Sequence, residues 1–130
     1  MFINMNIKRL WLWLPALVWM SVIFYLSSQT GPGGPEWQAV VFHIVAYSLL
    51  ASLYWLGLRG TTDTPKLYAV LIVIVLATLY GISDEWHQSF TPGRRPDPYD
   101  VMVDAAAAAG AALALAAISN RPTKATGEPV

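Results

Sequence analysis

The chain contains no cysteine, which excludes disulfides, thiolate metal sites and thiol nucleophiles together. It has two histidines, His43 and His87, and it is poor in charge, with 12% of its 130 residues ionised. Soluble domains carry about 25%. A water-facing surface needs more charge than this chain supplies. Eight basic residues balance eight acidic ones, so no basic field exists to hold nucleic acid, and no nucleic-acid partner is expected. Any chemistry here has to be assembled from carboxylates, two imidazoles, arginines, hydroxyls and amides.

What the chain has instead is long apolar runs. The first is Leu10–Leu26, behind the basic pair Lys8 and Arg9. It reads as a retained anchor rather than a cleaved signal, because it is longer than a signal core. It also carries Trp11, Trp13 and Trp19 and ends in Leu26-Ser27-Ser28, with no small-x-small cleavage site. Gln29–Glu36 is a Gly- and Pro-rich turn, Trp37–Leu58 a second run, and Arg59–Lys66 a short loop with Pro65 placed to open the next helix. The third run begins at Leu67 and ends in Ser83-Asp84-Glu85-Trp86-His87-Gln88-Ser89-Phe90. After the loop at residues 91–98 comes Val101–Ile118, alanine-rich and interrupted by Asp104.

Each run approaches the ~20 residues that cross ~30 Å of hydrocarbon. None alternates with period two, which excludes a β-barrel, and the middles of the runs lack polar stripes. The expected fold is an all-α integral membrane protein, an antiparallel four-helix transmembrane bundle. Its helices are expected at about 10–28, 37–58, 67–89 and 100–118, within one domain of residues 1–118, with a polar, disordered tail at 119–130. The expected partner is the lipid bilayer. In the fourth helix Ala106, Gly110 and Ala114 form a small-xxx-small stripe expected to admit a neighbouring helix.

Orientation follows from the basic residues. With the N-terminus inside, Lys8, Arg9, Arg59, Lys66, Arg121 and Lys124 are cytoplasmic, and only Arg94 and Arg95 lie outside. The aromatics agree: Trp11, Trp55 and Tyr68 mark one interface, and Tyr25, Trp37, Trp86 and Tyr99 the other. Both termini are therefore expected in the cytoplasm, and a bacterial inner membrane is the expected location.

On this topology all four helices bring polar groups to one level. His43 lies about 9 Å below Trp37 at ~1.5 Å rise per residue. Asp84, Glu85, His87 and Gln88 close the third helix, Asp100 and Asp104 open the fourth, and Ser27 and Ser28 end the first. Little polar material is expected in the inner half beyond Ser48 and Ser52. Ionisable residues within a membrane default to functional hypotheses, because burying them without partners is costly.

The string from Ser83 to Gln88, followed by Thr91-Pro92-Gly93-Arg94, Asp100 and Asp104, resembles the VanZ-like family. So do Phe42-His43 with Tyr47, and Ser27-Ser28-Gln29. The resemblance spans nearly the whole chain. The family often has Asn where Asp104 stands and glycines where Ala107 and Ala111 stand. The resemblance implies a cell-envelope protein: the founding member is linked to low-level resistance to the glycopeptide teicoplanin. It does not imply a reaction.

Three readings of the polar cluster stand side by side. In the first it is purely structural, with carboxylates, His87 and arginines satisfying one another and Arg94 paired to Asp100 or Glu85. In the second it engages an anionic lipid, a lipid-linked cell-wall precursor or a glycopeptide, through His43, Gln88, Arg94, Asp100 and Asp104, with Trp86 and Tyr99 stacking on sugar or acyl chain. In the third it is catalytic, a hydrolase or transferase with Asp84 orienting His87 as general base and Glu85 or Asp100 as second carboxylate. No cofactor and no metal are expected; a metal variant would use His43, His87 and one or two carboxylates.

Overall fold

The computed structural model describes residues 4–29 and 34–119. Its helices are α1 (Leu14–Ser27), α2 (Glu36–Thr61), α3 (Lys66–Gln88) and α4 (Pro98–Ile118). A 3-10 segment, Ile7–Trp13, leads straight into α1, and Pro15 sits in the first α-helical turn, where its missing N–H costs nothing. With that lead-in counted, the chain has four helices each long and apolar enough to span a membrane. Among the described residues there is no strand, only an isolated bridge between Met5 and Thr62. The expected tail lies outside the described residues, apart from Ser119.

Side-chain contacts give the directions. The end of α1 meets the end of α3 through Ser27 and Asp84, while His43 near the start of α2 meets Asp104 near the start of α4. At the other end the Lys66 ammonium, at the start of α3, donates to the Ser119 carbonyl that follows α4. The bundle therefore runs up, down, up, down, as short connections require.

The bundle is built with small and polar residues inward and large apolar ones outward. Leu17, Val18, Val45, Leu71, Val75, Leu79, Met102 and Leu113 are exposed, whereas Ala51, Ala69, Ala77, Ala108 and Ala112 are fully buried. Lipid is as apolar as leucine, so association rests on close backbone approach and polar contacts rather than on hiding leucines. Helix α4 packs most extensively on α2 and α3, and α1 lies across α2 and α3. The stripe that packs is Asp104-Ala108-Ala112; the expected stripe of Ala106, Gly110 and Ala114 faces outward, and nothing lies within 4 Å of a Cβ built on Gly110. Asp104 selects the face: a buried carboxylate turns the helix by its need for a partner, and the alanines in register with it follow.

Helix α2 runs three residues beyond the expected Leu58, to Thr61. Arg59 is buried within it rather than placed in a loop: its guanidinium lies 5.7 Å from the Trp55 ring and donates to the Thr64 carbonyl. Trp55 is consequently 8% exposed and packs in the interior, while the other six aromatics expected at the interfaces are exposed. Thr61 and Thr64 are buried here as well. Trp13 donates to Thr61 at 3.1 Å, across a contact that a side chain at Gly57 would block. This end is thus more polar inside than the expected Ser48 and Ser52.

Candidate functional site

At the opposite end the structure gathers Ser27, His43, Tyr47, Asp84, Glu85, Gln88, Asp100 and Asp104, drawn from all four helices. Helical spacing on α3 buries Asp84, Glu85 and Gln88 on one side and leaves Trp86 exposed. The Asp84 carboxylate accepts from the Ser27 hydroxyl and, at 3.3 Å, from the Gln88 amide. The sequence alone gives Ser27 no more than a helix-end role. Ser28 plays that part, donating back to the Phe24 carbonyl at 2.9 Å.

The loop from α3 to α4 closes this end. Gly93 adopts φ 82°, a left-handed conformation suited to glycine, and Arg94 follows it. Arg94 does not form the expected pair with Asp100 or Glu85. Its Nε donates to the Gln29 carbonyl at 3.0 Å and its Nη2 to the Leu26 carbonyl at 3.1 Å, and Thr91 Oγ1 donates to the Ser27 carbonyl at 3.3 Å. The last carbonyls of a helix have no partner within it, and a cation there is favoured by the helix dipole. Those carbonyls take Arg94 in preference to the carboxylates. Arg95 is exposed. Arg94→Ala is expected to cost about 1–2 kcal/mol, against less than about 0.5 for Arg95→Ala. Thermal melts in detergent compare the two; equal, small losses would contradict the clamp.

His43 is the hub of the acidic residues. Its Nδ1 lies 2.7 Å from Asp104 Oδ1 and its Nε2 3.8 Å from Asp100 Oδ2. Both contacts are ion pairs only when the imidazole is protonated. Asp104 has no exposed surface, and Gly81 makes its position possible: a Cβ at residue 81 would stand 2.8 Å from Asp104 Oδ2. Nothing in the sequence marks Gly81 as part of the site. Tyr47 lies nearly parallel to the His43 ring at 6.1 Å, and Phe42 meets that ring edge-on at 6.2 Å. Glu85 Oε2 accepts the Asp97 backbone N–H at 2.8 Å, and Asp97 in turn caps α4 by accepting from the Tyr99 N–H.

His87 stands apart. Its ring stacks on Phe24 of α1 at 4.1 Å, and no hydrogen bond or ion pair joins it to Asp84 among the described residues. The expected Asp84–His87 acid–base pair is therefore not formed. The expected pairing of both imidazoles around a metal is not formed either: the donor atoms that converge are those of His43, Glu85 and Asp100. Spacing of three residues puts two side chains on one helical face, but a flat ring beside an accessible phenyl face turns to stack on it.

Several polar atoms in this region lack partners. Among the described residues, the Tyr47 hydroxyl, Glu85 Oε1, His87 Nδ1 and Asp104 Oδ2 are buried with no hydrogen bond. Beside Glu85 a cleft of about 320 Å³ opens between α3 and α4, walled by Ile82, Trp86, Pro98 and Val101. A larger hollow of about 630 Å³, next to Lys8, Arg9 and Arg59, lies at the other end and shares no residue with the cluster.

No curated protein and no solved structure matches the chain. The VanZ/LLP1 family model matches residues 12–119, a stretch that holds all four helices and every residue of the cluster. The chain belongs to the VanZ/LLP1 family.

Proposed function

We propose that this protein works at the bacterial cell envelope, in the inner membrane, and engages an anionic lipid-linked or glycopeptide-type molecule through the cluster around His43. Both termini are cytoplasmic in this reading, which puts the cluster at the outer leaflet. The observation that carries it is the set of buried polar atoms without partners: Tyr47 Oη, Glu85 Oε1 and Asp104 Oδ2. Each such atom costs about 1–3 kcal/mol, and a network needed only to hold helices together has no reason to leave three of them in one place.

The chemistry of the ligand follows from the groups offered to it. Four carboxylates accept hydrogen bonds and repel phosphate, so the cluster meets the hydroxyls, amides or ammonium groups of a saccharide or peptide head. The phosphate stays at the rim beside exposed Arg95 and the remaining donors of Arg94. The lipid chain leaves through the apolar cleft beside Trp86, which is 69% exposed. A membrane-embedded hydrolase or transferase is the second reading, favoured by the imidazole that Asp104 orients.

Retention of a polyprenyl-linked saccharide phosphate by the protein in nanodiscs, and its loss on removal of charge from the cluster, tests the reading. Orientation is tested separately. A single cysteine in place of exposed Arg95 is expected to react with an impermeant thiol reagent on intact cells, and one in place of exposed Asp63 to react only after lysis. The reverse pattern would put the cluster on the cytoplasmic side and exclude an outer-leaflet ligand.

A further inference from the structure

We propose that His43, Glu85 and Asp100 form a binding site for one divalent transition-metal cation of the zinc or manganese class. Each of these residues offers a ligand atom, and the three atoms lie within 4.8 Å of one another. They come from three helices, α2, α3 and α4, so no local sequence motif announces them.

The orientation of His43 supplies the first argument. Asp104 Oδ1 lies 2.7 Å from Nδ1, which fixes the proton of a neutral ring on that nitrogen. Nε2 then presents a lone pair to Asp100 Oδ2 at 3.8 Å. A lone pair facing a carboxylate oxygen at that distance forms no hydrogen bond, and it is stabilised by a cation placed between the two. Metal-bound histidines carry this same support, a carboxylate on the nitrogen away from the ion. Asp104 is fully buried and provides it.

Glu85 supplies the second, independent argument. The residue is 7% exposed, and its carboxylate is held at one oxygen by the Asp97 N–H. The other oxygen, Oε1, is buried and has no hydrogen-bond partner among the described residues. A carboxylate with a buried, unpartnered oxygen, grouped with an imidazole and a second carboxylate, matches the demand of a divalent ion. Bonds of about 2.0–2.2 Å to nitrogen and oxygen place two ligands of a tetrahedral shell about 3.3–3.6 Å apart. The His43–Asp100 separation of 3.8 Å is close to that, and the Glu85 ligand atom lies within 4.8 Å of both. One imidazole with two carboxylates and no thiolate suits zinc or manganese better than copper(I). Three protein ligands leave a position open for an oxygen of a bound molecule.

This site stands on geometry alone and does not rest on the lipid reading, so it is tested in lipid-free detergent. The full-length chain is stripped with chelator, titrated with cobalt(II) by visible absorption, and then competed with zinc. The expected result is one cobalt per chain with the intense visible bands of a low-coordinate N/O site, displaced by zinc. Affinity is expected to fall at least tenfold in Asp100→Asn and in Glu85→Gln, and to be unchanged in Asp63→Asn and His87→Gln. Asp100 is partly exposed and its carboxylate touches the rest of the bundle through the 3.8 Å contact with His43, so that variant folds as the parent does; circular dichroism and elution volume verify this. No binding by the parent chain, equal binding by Asp100→Asn, or loss of binding in His87→Gln would each overturn the proposal.

Discussion

Replacing His43 with alanine is expected to cost about 3–5 kcal/mol, the largest stability loss of any single change in the bundle. The reason lies in what it leaves behind. Asp104 has no exposed surface, and the hydrogen bond that holds its carboxylate is the one to His43 Nδ1. Asp100 and Glu85 remain close by with no imidazole among them. Breaking a buried pair from one side is worse than never having built it, because the surviving charge keeps its desolvation penalty and loses its compensation. His43→Gln retains a donor that can reach Asp104 and is expected to recover a large part of the loss. Thermal melts of the detergent-solubilised variants measure both. If His43→Ala melts within a degree or so of the parent, the His43–Asp104 contact does not hold α2 to α4.

The same reasoning ranks the neighbouring positions. Gly81 lies against Asp104 and Ala108 shares its buried face, so added bulk there acts through the pair rather than through apolar packing. Lipid-facing positions such as Val75 and Leu113 are expected to tolerate exchange among apolar residues, since their side chains touch solvent of similar polarity in either case.

The helices are legible in the sequence because lipid demands unbroken apolar length, and length needs no partner to be read. Helix ends are less so. Arg59 looks like a loop residue until the Trp55 ring and the Thr64 carbonyl that receive it are seen. The gathering of Ser27, His43, Asp84, Asp100 and Asp104 at one end is also legible, because depth follows from counting residues along a helix. Partners are not. Arg94 donates to backbone carbonyls at and just past the end of α1, a demand carried by backbone geometry and invisible in residue identities. His87 is drawn off by the ring of Phe24, and the buried face of α4 is set by Asp104 through a glycine on another helix. Pairings across helices depend on rotation about each helix axis, which four nearly uniform apolar segments barely encode.

The second large effect is on function, and it separates a site from a scaffold. Asp84→Asn, Glu85→Gln and Asp100→Asn remove charge and keep shape. In Asp84→Asn the amide oxygen still accepts from the Ser27 hydroxyl, and in Glu85→Gln it still accepts from the Asp97 N–H. Asp100 is held by its 3.8 Å contact with His43, so Asp100→Asn gives up little. Each variant is expected to lose less than about 1.5 kcal/mol of stability, in the range of ordinary substitutions. Each is nevertheless expected to weaken binding of a polyprenyl-linked saccharide phosphate at least tenfold, the equivalent of about 1.4 kcal/mol. On the proposed reading, any glycopeptide protection that the protein confers on cells is expected to fall in parallel.

The direct test therefore pairs two readings on the same nanodisc preparations of the parent and these three variants, ligand retention by native mass spectrometry and a melting curve. Retention lost in all three with melting temperatures close to the parent is the result predicted for a binding site. Retention that is unchanged, or that falls only in step with melting temperature, would contradict it and leave the cluster as a device for holding four helices together.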